Sequence, residues 1–181
     1  MGETENKVQK PAVGTIGTPH MGFLPGAYVK SLMSLIKPTS ISISMVERVM
    51  VHFARNIIVK NMTGDWICWI DSDMVFAPQT LQMLLRHLPN ISVDIIGALC
   101  FKRVYPYTPT IYRYLKDDDK YSPILSWRPG SRFEIDAIGH GFTLVRKRVY
   151  DKLKLPYYRF DKERGEDIYF CQKAKEAGFK I

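Results

Sequence analysis

Five consecutive apolar residues, Trp66-Ile67-Cys68-Trp69-Ile70, run without a polar break into Asp71-Ser72-Asp73. A run of that length with no helical period reads as a strand buried in a sheet covered on both faces. It also places two carboxylates where the strand stops. Open α/β sheets bind ligands at the carboxyl ends of their strands. Carboxylates placed there can hold a hard divalent ion against phosphate oxygens. The chain therefore reads as an enzyme acting on a phosphorylated or nucleotide-linked substrate.

The surrounding sequence supplies the rest of such a sheet. Val13–Thr18 reads as a first strand, and the loop from Pro19 to Gly26 as its exit. A helix is expected over Ala27–Lys37, with Leu32, Leu35 and Ile36 on one face and Pro38 as its stop. Thr39–Val46 alternates as a strand. Met50–Met62 has helical spacing at Phe53, Ile57 and Ile58. After the acidic turn, a helix from Pro78 to His87 and a strand over Val93–Leu99 complete a rhythm of strand and helix. That rhythm predicts a three-layer α/β sandwich around a mostly parallel sheet. Beyond Cys100 the pattern becomes mixed. Strands are expected at Thr110–Leu115, Phe133–Ala137 and Phe142–Val145, with helices at Arg146–Leu153 and Gly165–Ala177.

At 181 residues the chain is long enough for one domain with a sizeable core. Lys and Arg outnumber Asp and Glu by 26 to 18, giving a net charge of +8 that favours anionic ligands. No basic block is long enough to read as a nucleic-acid arm, so no nucleic-acid partner is expected. Asp117-Asp118-Asp119 reads as a solvated loop. Cys68, Cys100 and Cys171 are far apart in apolar segments, which predicts buried free thiols rather than a disulfide or zinc framework. The opening MGETENKVQK lacks the apolar core of a signal peptide. No run approaches the ~20 apolar residues of a transmembrane helix, so a cytoplasmic protein with no transmembrane segment is expected.

Asp71 and Asp73 are separated by one small residue, so both carboxylates can converge on one ion or its water shell. A capping turn is the competing reading. No glycine-rich dinucleotide fingerprint or P-loop is present, and His20, His52, His87 and His140 have no metal-ligand spacing. Gly165-Glu166-Asp167 forms a second acidic signal at the start of the last helix. The helix dipole alone accounts for acids there. The functional reading is a general base that deprotonates a hydroxyl.

In order and spacing, several segments resemble nucleotide-sugar-dependent glycosyltransferases of the GT-A fold, family-2-like. They are Val13–Thr18, Ala54-Arg55-Asn56, Gly64-Asp65-Trp66 with Asp71-Ser72-Asp73, Gly139-His140-Gly141-Phe142 and Gly165-Glu166-Asp167. The resemblance implies a single GT-A-type domain over residues 11–181 after a flexible 1–10. Residues 11–100 would bind the nucleotide sugar and 101–181 the acceptor, the native chain continuing past Ile181 or a short edge strand closing there. It implies Mn²⁺ or Mg²⁺ as cofactor, with Asp73 as ligand and Asp71 orienting the ribose or the metal's water shell. Thr15, Thr18, His20, Arg55, Asp71, Ser72 and Asp73 are the donor-site candidates. Asn56 is expected to cap or brace the neighbouring loop. Asp167 is the expected base, with Glu166 positioning the acceptor or holding the helix start. His140, Gly141 and Trp127 are candidates for sugar or acceptor contact. No histidine follows Asp167 where the family carries a further metal ligand, so water or His140 would complete the metal's coordination, or the chain lacks that part. The implied reaction is inverting transfer to a carbohydrate, lipid-linked or protein hydroxyl. The alternatives are a retaining GT-A enzyme, a nucleotidylyltransferase and a non-catalytic carbohydrate- or nucleotide-binding module.

Overall fold

A computed structural model describes residues 14–161 and 164–181. The flexible segment expected at 1–10 and Val13 as the first strand residue lie outside these. The first half alternates: β1 (Gly14–His20), α1 (Gly26–Ser34), β2 (Ile41–Glu47), α2 (Val51–Lys60), β3 (Trp66–Ile70), α3 (Thr80–Leu85) and β4 (Ile95–Gly97). The second half contains β5 (Ile111–Leu115), β6 (Lys120–Pro123), β7 (Ala137–Ile138), β8 (Phe142–Arg146), α4 (Lys147–Lys152) and α5 (Glu166–Glu176).

The main sheet has the order β2-β1-β3-β8-β4. β1 runs parallel to β2 and β3, whereas β8 is antiparallel to both β3 and β4. The four first-half strands therefore share one direction, and β8 enters between them reversed. This is the expected mixed, mostly parallel sheet of a GT-A-type sandwich. Because β8 runs backwards, its amino end lies beside the carboxyl end of β3. That reversal brings Gly139–Gly141 to the edge where Asp71 emerges.

β3 is buried along its whole length because each face meets its own core. Trp66, Cys68 and Ile70 pack with Tyr28 of α1 and with Leu81 and Leu84 of α3. Ile67 and Trp69 pack with Ile58 and Val59 of α2, Val149 and Tyr150 of α4, and Phe170 and Cys171 of α5. Each large side chain buried this fully contributes roughly 1.5–3 kcal/mol. The two tryptophans also dictate the glycines of β1. A Cβ on Gly14 would lie 2.1 Å from Trp66 Cε2, and one on Gly17 would lie 2.7 Å from Trp69 Cζ3. Those glycines admit indole rings across the strand.

Local detail differs from expectation in several places, α3 and β4 being shorter than Pro78–His87 and Val93–Leu99. α1 stops at Ser34, and Ile36 N donates instead to Pro78 O at 2.8 Å, ahead of the proline at 38. On α2 the buried face is Ala54, Arg55, Ile58 and Val59, while Phe53 and Ile57 are exposed. The strand expected over Phe133–Ala137 is replaced by the short β7, Ala137–Ile138; just ahead of it Asp136 N donates to Tyr112 O, while Ile135 N donates to Ile181 O. A second small sheet, β6-β5-β7, includes the unforeseen β6. The Asp117–Asp119 run is the turn between β5 and β6, and Asp119 accepts hydrogen bonds from Tyr114 Oη and Arg164 rather than being merely solvated.

Phe179–Ile181 form no named strand, but Ile95 N donates to Lys180 O and Ile135 N to Ile181 O, so they line the free edge of β4. The three cysteines are free and buried, as their apolar settings predict. No helix among the described residues is long and apolar enough to cross a membrane.

Candidate active site

The acidic turn is built by the strand that precedes it and the strand that returns beside it. Asp71 N donates to Gly141 O at 3.1 Å, and Met74 N donates to Asp71 O at 3.0 Å. The first bond fixes the point where the chain leaves β3. The second closes a turn that presents Asp71, Ser72 and Asp73 at the carboxyl edge of the sheet. Two adjoining cavities share Asp71, Asp73 and Arg103 on their walls. The larger, about 310 Å³, extends toward the ends of β1 and β2 and has an apolar wall of Met21, Phe23, Val49 and Val51. The smaller, about 160 Å³, lies over Gly139–Gly141 and includes Asp167.

Arg55 forms the floor of the larger cavity. Its side chain is 2% exposed, with Nη2 2.9 Å from Asp71 Oδ1 and Nε 3.2 Å from Glu166 Oε1. The guanidinium carbon lies 5.1 Å from the Trp69 ring centre. Burial works against its charge, but Asp71 and Glu166 hold its pKa above the ordinary value. Burial likewise pushes the Asp71 carboxyl up; Arg55 opposes this and the neighbouring Asp73 adds to it. The next residue has a different task. Asn56 Nδ2 donates to Tyr158 O, and its Oδ1 accepts from Tyr157 N, so it braces that loop as expected. Tyr158 in turn hydrogen-bonds Tyr150, whose hydroxyl accepts from Trp69 Nε1.

α5 begins at the cleft. Glu166 turns inward to Arg55, which holds the helix start against α2. Asp167 turns to the smaller cavity. A Cβ on Gly139 would lie 3.4 Å from Asp167 Oδ2, so the carboxylate rests on bare backbone. Burial, reinforced by Glu166 and opposed by Arg55, pushes the Asp167 pKa up to about 6.

The remaining sequence candidates divide. His20 and Ser72 line the larger cavity. Thr15 does not: it lies at the opposite end of β1, where its hydroxyl bonds Ser42 and Thr63. Thr18 is fully buried, and its hydroxyl is engaged by Tyr28. The His140 ring is 1% exposed among Trp69, Tyr158 and Phe170, and Nδ1 donates to Ile138 O. Burial and the Arg55 charge hold its pKa well below the ordinary value. His140 is among the residues lining the smaller cavity, and its imidazole packs in the aromatic core with Nε2 buried and without a hydrogen-bond partner. Gly141 contributes the carbonyl that anchors Asp71. Trp127 is half-buried behind Phe101, 6.2 Å between ring centres, and reaches the smaller cavity only through it. Three contributors went unrecognised in the sequence. Arg103 registered only as part of the basic excess. Tyr158 and the Met21–Phe23 wall have no signal in local pattern.

These features have counterparts among known proteins. The family model described as glycosyl transferase family 2 matches residues 27–154, most of the chain.

The chain belongs to glycosyl transferase family 2.

It is a glycosyltransferase that uses a nucleotide-sugar donor. The matched family region runs from α1 to just beyond α4 and contains Arg55, Asp71–Asp73 and Gly139–Gly141, whereas Glu166 and Asp167 lie beyond it. Two solved structures share the fold. A197 from STIV superposes with a TM-score of 0.66 at 20% identity, over 91% of this chain and 78% of its own. S. aureus TarS 1–349 gives a TM-score of 0.54 at 13% identity, and the match spans 90% of this chain and 55% of the TarS chain. No curated protein sequence matches this glycosyltransferase.

Among the described residues no group of three or more His, Cys, Asp and Glu side chains forms a self-sufficient metal cage. The donor set is two carboxylates at a cavity wall, both oxygen ligands, with the desolvated Asp71 disfavoured as an anion and Asp73 adding to that strain. A hard cation that keeps water and shares phosphate oxygens suits one or two carboxylates. The residues therefore fit Mg²⁺ or Mn²⁺ bound jointly with a diphosphate.

Proposed function

We propose that this glycosyltransferase moves a sugar from a nucleotide donor to an acceptor hydroxyl by direct displacement, with inversion at the anomeric carbon. The observation that carries this reading is the placement of Asp167 in the smaller cavity, whose wall also includes Asp71 and Asp73. One cavity for the donor and one for the acceptor then meet at the acidic turn. The donor's base lies against the apolar wall of Met21, Phe23 and Val49, near His20. Asp73 and Asp71 are the residues that would hold Mn²⁺ or Mg²⁺, and the cation would supply positive charge against the diphosphate.

The chain's own residues supply the rest. Arg55 opposes the loss of charge that burial imposes on Asp71, holds it in place and ties it to Glu166, so donor carboxylate and base helix keep a fixed spacing. Asp167 accepts the proton of the attacking hydroxyl. Its raised pKa, about 6, makes it a better proton acceptor than an ordinary carboxylate while leaving it ionised at pH 7. The Asp167 carboxylate approaches the acceptor across Gly139, where a side chain would intervene. Phe101, backed by Trp127, offers a ring face to a carbohydrate acceptor. The positive net charge favours arrival of the anionic donor.

The test is a screen of UDP-, GDP-, CMP- and TDP-sugars for binding with and without Mn²⁺ or Mg²⁺, followed by transfer assays with carbohydrate, lipid-linked and protein acceptors. Metal-dependent binding of one donor and a product of inverted configuration by NMR are expected. Retained configuration would remove Asp167 from the role of base.

A further inference from the structure

We propose that Arg103 is an exchangeable clamp for the donor diphosphate. It rests on Asp73 in the free protein and transfers to the phosphate oxygens when nucleotide and cation bind. The inference rests on the donor site described above.

Two arginines reach the acidic turn, and they are held in opposite ways. Arg55 is buried and already committed to two carboxylates. Arg103 places Nε 2.9 Å from Asp73 Oδ2 with its side chain 80% exposed. An ion pair that exposed is weak and screened by solvent, so a divalent cation can displace it. The backbone that carries Arg103 is nevertheless fixed. Phe101 bridges Pro109, and Lys102 N donates to Thr108 O at 2.9 Å, closing the base of a hairpin one residue before Arg103. A pinned backbone with a long free side chain gives reach without loss of aim.

The location is the second observation. Arg103 borders both cavities, at the boundary where the donor's diphosphate would lie between its base and the transferred sugar. Arg55 is deeply buried, with Nη2 and Nε held by Asp71 and Glu166 and only Nη1 without a partner, so it has no reach to follow a departing diphosphate. A guanidinium fork matches phosphate oxygens in a bidentate manner, so the geometry that now satisfies a carboxylate also satisfies a phosphate. Arg103 and the cation therefore compete for Asp73 when no nucleotide is present. They act together on the diphosphate when it is.

That change of sign is the test. Mn²⁺ binding alone is measured by electron paramagnetic resonance for the wild type and R103Q. UDP, GDP, TDP and CMP are then titrated calorimetrically at saturating Mn²⁺, with D73N alongside. R103Q is expected to bind Mn²⁺ alone about 2- to 5-fold more tightly, the worth of an exposed ion pair. The preferred nucleoside diphosphate should bind roughly 10- to 100-fold more weakly, the worth of a charge-assisted hydrogen bond. R103K should recover part of that affinity by restoring charge without the fork. Unchanged nucleotide affinity in R103Q, with affinity abolished in D73N, would overturn the role of Arg103 and leave the donor site standing. Absence of Mn²⁺-dependent nucleotide binding in the wild type would overturn the donor-site reading and this proposal with it.

Discussion

The floor and the rim of the cleft are built on opposite principles, although Asp71 and Asp73 stand two residues apart. On the floor, Arg55, Asp71, Glu166 and the Trp69–Tyr150–Tyr158 chain are packed and hydrogen-bonded, so position is set by desolvation and by the cost of leaving a buried charge unpaired. On the rim, Asp73, Arg103, Met21 and Phe23 face solvent, and no such cost holds them. The difference teaches that one acidic motif can combine a fixed carboxylate with an exchangeable one. Substitutions on the floor should register in stability and function together, and those on the rim in binding alone.

The largest expected effect is catalytic and falls on the wall between the two regions. Asp167→Asn is isosteric and should lower single-turnover transfer by roughly 10²–10⁴-fold with donor affinity nearly unchanged. Near wild-type turnover would show that the smaller cavity does not hold the base. Next comes the floor itself. Arg55→Met leaves Asp71 and Glu166 facing each other without their cation, and should cost about 3–5 kcal/mol in denaturant unfolding. A loss below about 1 kcal/mol would erase the distinction between floor and rim. Tyr158→Phe removes the hydroxyl bonded to Tyr150 and should cost about 1 kcal/mol by the same measurement.

Asp167 also gives the comparison a pH axis. In the free enzyme, kcat/KM should rise through an acid limb near pH 6 as Asp167 loses its proton. Stability should run the other way. The folded chain holds this proton more tightly than the unfolded chain, because its folded-state value lies above the ordinary carboxylate value. The Asp167 contribution to stability is therefore present below the ordinary carboxylate range and lost as pH rises through about 6. Thermal melts from pH 4 to 7 should show that decline in the wild type and a shallower one in Asp167→Asn. The smallest effect belongs to the rim: Arg103→Gln should shift stability by no more than about 0.5 kcal/mol, in contrast with Arg55→Met.

How far the sequence reached differs between these regions for a physical reason. The apolar run at Trp66–Ile70 and the strand–helix rhythm carry the sheet because burial on two faces must appear as an unbroken apolar string. The turn at Asp71–Asp73 and the acidic start of α5 were legible for the same local reason: each is a short motif attached to the end of an element. The burial of Arg55 was not legible. Helical spacing pointed to Phe53, Ile57 and Ile58, of which only Ile58 is buried, and only Asp71 and Glu166, brought in from other elements, make it favourable to turn an arginine into the core. Thr15 and His140 show the converse. Both are polar residues near family-like motifs, but their side chains are used by Thr63 and Ser42 and by the aromatic core.

The sequence by itself thus determined the covered α/β sheet, the carboxylates at its edge and the family resemblance, because these are written in local pattern and spacing. Tertiary structure alone decided which carboxylate is fixed by a buried arginine, which is left to an exposed one, and which faces the smaller cavity. Those outcomes depend on desolvation and on charges far apart in the chain. Asp71, Arg55 and Glu166 acquire their relation only when β3, α2 and α5 converge.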